Sequence, residues 1–219
     1  MLRPLPVLLA VIAAGAARSN KMFDISSRPV TFYGQTYKQV YLDLTGDNVT
    51  ICFNTGPGQD CIVGPLASLV QSRFEIRPYS ESTEKLIRRL APTIKRNLKG
   101  SVSFDYIFGA STLMLHDFGT QAALYVFIDI DDRNASYAFD AVVNGTVVDT
   151  FTFTEDSYGN INGATDISGC RRSGVVYKPG TVISRDPETF SDLICNEFAV
   201  IETRLIESEL VRAEDRQTF

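Results

Sequence analysis

Apolar and polar residues come close to alternating from Val30 to Leu44 (VTFYGQTYKQVYLDL), with aromatic and β-branched side chains prominent. A two-residue period sends successive side chains to opposite faces of an extended chain, so this run predicts a strand. Val49 to Phe53 predicts a second, short strand running into the turn-forming sequence Asn54-Thr55-Gly56-Pro57-Gly58-Gln59. From Ser80 the period changes. Leu86, Ile87, Leu90, Ile94 and Leu98 recur at helical spacing behind a Ser80 N-cap, with Glu81 and Glu84 in the first turn. This predicts a helix over 80–99 that stops at Gly100. Pro92 lies within it and lacks the N–H that a helix interior needs, so the helix is expected to kink or divide there.

The strand pattern resumes at 101–108 (SVSFDYIF) and 111–118 (STLMLHDF), and 122–130 (AALYVFIDI) is apolar enough for an interior strand. Two β-rich runs, 137–143 and 146–153, flank Asn144-Gly145, a dipeptide that accepts the positive φ angles of a type I′ turn. This is a hairpin signature. In a simple two-residue turn Asp140 would face Asp149, and like charges directly opposite are unfavourable unless solvent, a cation or a register shift relieves them. Residues 157–174 are rich in Gly, Asn, Ser and Asp and read as a long loop held at Cys170. Asp186-Pro187 then resembles a helix start, with Leu193, Ile194, Phe198, Ile201, Leu205 and Leu210 as the apolar stripe of a long C-terminal helix. Together these elements predict an α+β fold. It has an antiparallel sheet of about 6–8 strands, with the Asn-Gly hairpin at its centre and two main helices packed on it, in a single domain over 20–219.

The first nineteen residues change how the rest is read. A short basic start, the apolar Val7 to Ala14 and the small residues Ala14-Gly15-Ala16 have the form of a secretory signal peptide, with cleavage expected near 16–19. A secreted chain makes Asn48, Asn134 and Asn144, each in an Asn-x-Ser/Thr triplet, candidate N-glycosylation sites. It also makes Cys52, Cys61, Cys170 and Cys195 candidate disulfides. Of the three possible connectivities the local one is favoured, Cys52–Cys61 and Cys170–Cys195, because a turn-forming loop brings the first two together. In the loop-entropy picture the two links contribute about 2.7 and about 3.5 kcal/mol. After the leader no apolar run has the length of a membrane helix, so no transmembrane segment is expected.

Charge and composition exclude more than they identify. The 44% hydrophobic content fits a globular chain, and a net charge of −5 argues against a nucleic-acid binder. Within this acidic chain Lys85, Arg88, Arg89, Lys95, Arg96 and Lys99 cluster on the predicted 80–99 helix, a candidate docking surface for an anionic partner. Glu197, Glu202, Glu207, Glu209 and Glu214 would lie on the C-terminal helix. Asp129, Asp131, Asp132, Asp140 and Asp149 are weak calcium candidates, lacking the spacing of a calcium loop. His116, the one histidine, could pair with Ser111 in a hydrolase, but no nucleophile elbow surrounds the serine. Neither a phosphate-binding loop nor a dinucleotide fingerprint is present, so no cofactor is expected. The expectation is a secreted, N-glycosylated, non-enzymatic binding protein whose partner is an extracellular protein or glycan. The alternatives are a carrier of a lipid or other small apolar ligand and a carboxylate-based secreted hydrolase.

Overall fold

The computed structural model describes residues 20–45, 48–65, 72–106, 112–129, 136–155 and 160–206. The leader, Ser111, Asp131, Asp132, Asn134, Glu207, Glu209, Leu210 and Glu214 lie outside the described residues. Along the chain come β1 (Asn20–Asp24), the hairpin β2 (Val30–Phe32) and β3 (Gln35–Tyr37), and the meander β4 (Gln39–Thr45), β5 (Asn48–Cys52) and β6 (Cys61–Pro65). Then follow β7 (Ser72–Pro78), helix α1 (Glu81–Leu90), β8 (Gly100–Tyr106), β9 (Thr112–Asp117) and β10 (Ala122–Asp129). The Asn-Gly hairpin is β11 (Ser136–Val143) and β12 (Thr146–Thr154), with β13 (Asn160–Asp166) after it. Last among the described residues come the small hairpin β14 (Cys170–Arg172) and β15 (Val175–Tyr177), then β16 (Thr181–Asp186), β17 (Ser191–Cys195) and β18 (Ile201–Leu205).

Two antiparallel sheets hold the core. The larger has the order β1-β4-β5-β6-β11-β12 and the smaller β13-β10-β9-β8-β7. Their apolar faces meet. Phe23 of β1 stacks on Phe74 of β7 with ring centroids 4.4 Å apart, and Phe104 of β8 approaches Phe23 edge-on at 5.8 Å. At the opposite margin the ring of Phe153 on β12 lies over Gly163 of β13, where a Cβ would sit 2.4 Å from a ring carbon. Only glycine allows that approach. Val40, Leu42, Ile51 and Phe139 from one sheet join Val102, Leu115, Leu124 and Val126 from the other in a single buried cluster. This is a face-to-face β-sandwich. A second cluster covers the outer face of the smaller sheet, where Ile87, Ala91, Ile94 and Leu98 pack with Phe118 and Ala123.

The expected α+β architecture is overturned. Strands make up 61% of the structure and helix 6%, and among the described residues α1 is the one helix. The C-terminal helix is instead the three-stranded sheet β16-β17-β18. Asp186 does accept hydrogen bonds from Glu188 N and Thr189 N, at 2.9 and 3.4 Å, as an N-cap would, but the same chemistry builds a turn. Phe190 and Ala199 then adopt left-handed φ angles of 48° and 55°, which interrupt any helix through the stripe. Asn196 Oδ1 accepts from Phe198 N and Val200 N, both at 3.0 Å, and closes the β17–β18 turn.

The predicted 80–99 helix is also shortened. Ser80 caps α1, but the helix stops at Leu90, before Pro92. Arg88 folds the following segment back, donating to the carbonyls of Ile94 and Arg96 at 3.2 and 2.8 Å. Ile94 and Leu98 therefore reach the core cluster from irregular backbone. Val30 to Leu44 is divided by a turn at Tyr33 and Gly34, whose φ angles are 43° and 80°. Part of the supposed 157–174 loop is the strand β13.

The Asn-Gly hairpin lies at one margin of its sheet, not at the centre. Asn144 and Gly145 take φ angles of 51° and 75°, which matches the twist of a type I′ turn. A register shift between Ala141 and Val142 places Asp140 opposite Thr150 and Ala141 opposite Asp149. The shift separates the two carboxylates and puts Phe139, Phe151 and Phe153 on one buried face. Asp140 then accepts from Thr150 Oγ1 at 2.7 Å, while Asp149 pairs with Lys178.

Two disulfides close this framework, Cys52–Cys61 across β5–β6 and Cys170–Cys195 between β14 and β17. Beside the first lies Asp60, whose side chain is fully buried. Its Oδ1 accepts from Asn144 N at 2.8 Å; its Oδ2 accepts from Tyr37 OH and, at 2.7 Å, from Arg171 Nη1. Arg171 Nη1 also donates to Gln35 Oε1 at 3.0 Å. One carboxylate thus ties the β2–β3 hairpin, the β5–β6 loop, the β11–β12 turn and β14. Removing one partner of a buried pair strands the other charge. Asp60→Ala is expected to lower the unfolding free energy by about 3–5 kcal/mol, as guanidinium denaturation would measure. A loss near that of an exposed pair, under about 1 kcal/mol, would mean the tether is not holding.

Candidate functional site

Asp117, Phe118, Gly119 and Thr120, at the turn joining β9 to β10, form the floor of an open cleft of about 530 Å³. Gly119 adopts a φ of 87°, and its N–H donates to Asp117 Oδ1 at 2.7 Å. Thr31 Oγ1 of β2 donates to Gly119 O at 2.6 Å, joining the β2–β3 hairpin to the floor. That hairpin supplies one wall through Thr31, Gly34 and Thr36.

Three cations line the rest of the cleft. Arg28 leaves the turn after β1 and crosses Gly100, where a Cβ would come within 2.7 Å of the Arg28 Nε. The Lys99 side chain lies over Gly119, and its backbone N–H donates to Asp117 O at 2.8 Å. Arg96 sits with its guanidinium carbon 5.2 Å from the Phe198 ring centroid. Its backbone is fixed by buried Gln121, whose Oε1 accepts from Lys95 N and Arg96 N at 2.8 and 3.0 Å. Gln121 Nε2 donates to Thr93 O and Glu197 O, at 3.2 and 3.0 Å, linking this segment to the β17–β18 turn.

Among the described residues lining the cleft, Asp117 is the one carboxylate. Burial raises its pKa, opposed by the Gly119 N–H and by the charges of Lys99 and Arg28. The arrangement has more cations than anions; Ser27, Thr36 and Thr120 also line it, with Thr36 Oγ1 3.0 Å from Thr31 Oγ1 and Thr120 Oγ1 donating to Phe198 O. Chemically it suits a sulfate, phosphate or carboxylate group.

The six basic positions picked out in the sequence do not share one helix face. Lys85 pairs with Glu81 at 2.6 Å and Arg88 with Glu84 at 2.8 Å, both one turn apart on α1, and Arg89 is exposed on the same helix. Lys95 Nζ donates to Pro92 O at 3.1 Å. Only Arg96 and Lys99 enter the cleft, and both lie beyond the helix. Arg28 had no sequence signal, being a lone cation in a Ser-Ser-Arg-Pro turn. The Asp60–Arg171 pair was equally hidden, since nothing local marks an aspartate beside a disulfide as buried.

His116 is fully buried on β9, with Ser101 Oγ 2.7 Å from its Nδ1 and the Tyr125 ring edge-on at 6.1 Å. Burial, helped by the charge of Arg77, pushes its pKa down to about 4. It is a neutral, packed histidine. Among the described residues no three His, Cys, Asp or Glu side chains form a metal-binding group, and Asp140 and Asp149 have protein partners. Asn48 is exposed at the start of β5; Asn144 is exposed at the hairpin tip, where its Nδ2 donates to Gly174 O at 3.1 Å. No helix among the described residues is long and apolar enough to cross a membrane. The chain matches no protein-family model, no curated protein and no solved structure in the comparisons made.

The buried histidine predicts a pH dependence. Its folded pKa lies below the unfolded value of 6.5, so the unfolded chain binds the extra proton first. The histidine's contribution is fully favourable above pH 6.5 and is lost as pH falls toward 4. The loss should reach on the order of 3 kcal/mol. Denaturation curves for His116→Gln should lose that part of the slope between these values. An unchanged slope would show that His116 is not protected from protonation.

Proposed function

We propose that this protein is an extracellular, N-glycosylated binding protein that recognises an anionic group on its partner through the Arg28, Arg96 and Lys99 cleft. The observation that carries this reading is the convergence of three cations on one turn in a chain of net charge −5. A positive cleft in an otherwise acidic molecule guides anions to one place. Two disulfides and a leader-like N-terminal sequence fit an oxidising, extracellular setting. An acidic glycan suits the cleft better than an apolar ligand, because three cations line it and it is open to solvent. A carboxylate-based hydrolase needs a second catalytic carboxylate beside Asp117, and the described lining residues include none.

The test is binding of a sulfated oligosaccharide by isothermal titration calorimetry. Arg28→Glu and Lys99→Glu should each weaken binding at least about tenfold, and added salt should weaken the wild type. Lys85→Glu and Arg89→Glu, on the exposed side of α1, should leave affinity unchanged. The opposite ranking would return the docking surface to α1.

A further inference from the structure

The strand β18 ends the three-stranded sheet β16-β17-β18, and among the described residues no strand pairs with its outer edge. Every residue from Ile201 to Leu205 is exposed, including Leu205 at 61%. Native sheets generally blunt such edges with proline, with charged side chains, lysine above all, or with a bulge. This edge, Ile-Glu-Thr-Arg-Leu, has no proline, lysine or bulge, and its two charges, Glu202 and Arg204, are of opposite sign.

Its sequence is self-complementary. Backbone hydrogen bonds run from Asn196 N to Val200 O and from Ile206 N to Phe190 O, both 2.9 Å, at the two ends of the β17–β18 ladder. Pairing alternates along an antiparallel ladder, so the even-numbered residues of β18 direct their N–H and C=O groups to β17. Ile201, Thr203 and Leu205 direct theirs outward. If two copies of β18 meet antiparallel about Thr203, the outward groups of Thr203 meet their own counterparts. Those of Ile201 meet Leu205. In the same register Glu202 falls opposite Arg204 in the closer, non-hydrogen-bonded pairs, and the two ends match apolar with apolar. A shift of this register breaks both matches.

We propose that β18 is a homodimerisation edge, pairing with β18 of a second copy about a two-fold axis at Thr203. The two three-stranded sheets then form one continuous sheet of six strands. The contact is isologous, so each copy supplies the same residues. In the monomer Glu202 accepts from Asn196 Nδ2 at 2.7 Å, an interaction on its own turn that leaves the backbone edge open.

Sedimentation equilibrium of the full chain provides the test. An edge contact of this size predicts a weak, concentration-dependent dimer, so loading should extend to about 1 mM. Thr203→Pro removes an outward N–H without removing a bond to β17 and should weaken dimerisation at least about tenfold. Glu202→Lys and Arg204→Glu each place like charges across the pair and should be monomeric alone. Mixed one to one, they restore both opposite-charge pairs and should form a heterodimer. A wild type that stays monomeric throughout overturns the proposal. So does a dimer indifferent to Thr203→Pro and both charge variants, or single-variant monomers that fail to associate when mixed. Near-ultraviolet circular dichroism of each variant reports whether the fold is intact.

Discussion

A buried carboxylate must be satisfied completely or it costs several kcal/mol, and Asp60 meets that demand with groups from distant parts of the chain. Tyr37, Asn144 and Arg171 converge on its two oxygens from a hairpin, a turn and a strand. Each of those segments is short, and β2, β3 and β14 have three residues apiece. Strands of that length do not persist by themselves. The carboxylate sets where they sit relative to the sandwich. The neighbouring Cys52–Cys61 link keeps Asp60 itself in place.

That constraint reaches the cleft. Its hairpin wall, Thr31 to Thr36, is held at one end by the Tyr37–Asp60 bond and near its tip by the Arg171–Gln35 bond. Gly34 lies so close to the backbone of Gly169 to Arg171 that a Cβ would come within 2.7 Å of Arg171 N. The opposite wall is fixed by Gln121, which holds Arg96 and the β17–β18 turn from one buried amide. Stability and recognition share these positioning groups. A site built on loops is held in place here by buried polar bonds.

Local strand signals in the sequence were sound where they depended on nearest neighbours. The strands at 101–106, 112–117 and 122–129 and the Asn-Gly turn follow from β-branched composition and from the φ tolerance of Asn and Gly. The C-terminal error has a physical origin. Leu193, Ile194, Phe198, Ile201 and Leu205 fit a helical stripe and two facing strands equally well. The choice is made by left-handed Phe190 and Ala199 and by the Cys170–Cys195 link, which anchors β17 to a distant strand. Of the ways named to relieve the Asp140–Asp149 clash, the register shift is the one found: a bulge costs little, separates the two aspartates and turns Phe151 and Phe153 inward. Of the cleft, Arg96 and Lys99 were visible as basic residues, but their partner Arg28 is some seventy positions away. No short-range pattern carries that information.

The most direct measurement of the central claim is a ¹⁵N-edited NMR titration with inorganic sulfate and then with a sulfated oligosaccharide. If the cleft is the recognition site, saturable shifts should concentrate at Arg28, Thr36, Lys99 and Gly119, with the amides of α1 unmoved. Shifts confined to Lys85 and Arg89, or none at the Asp117–Gln121 turn, would contradict the account.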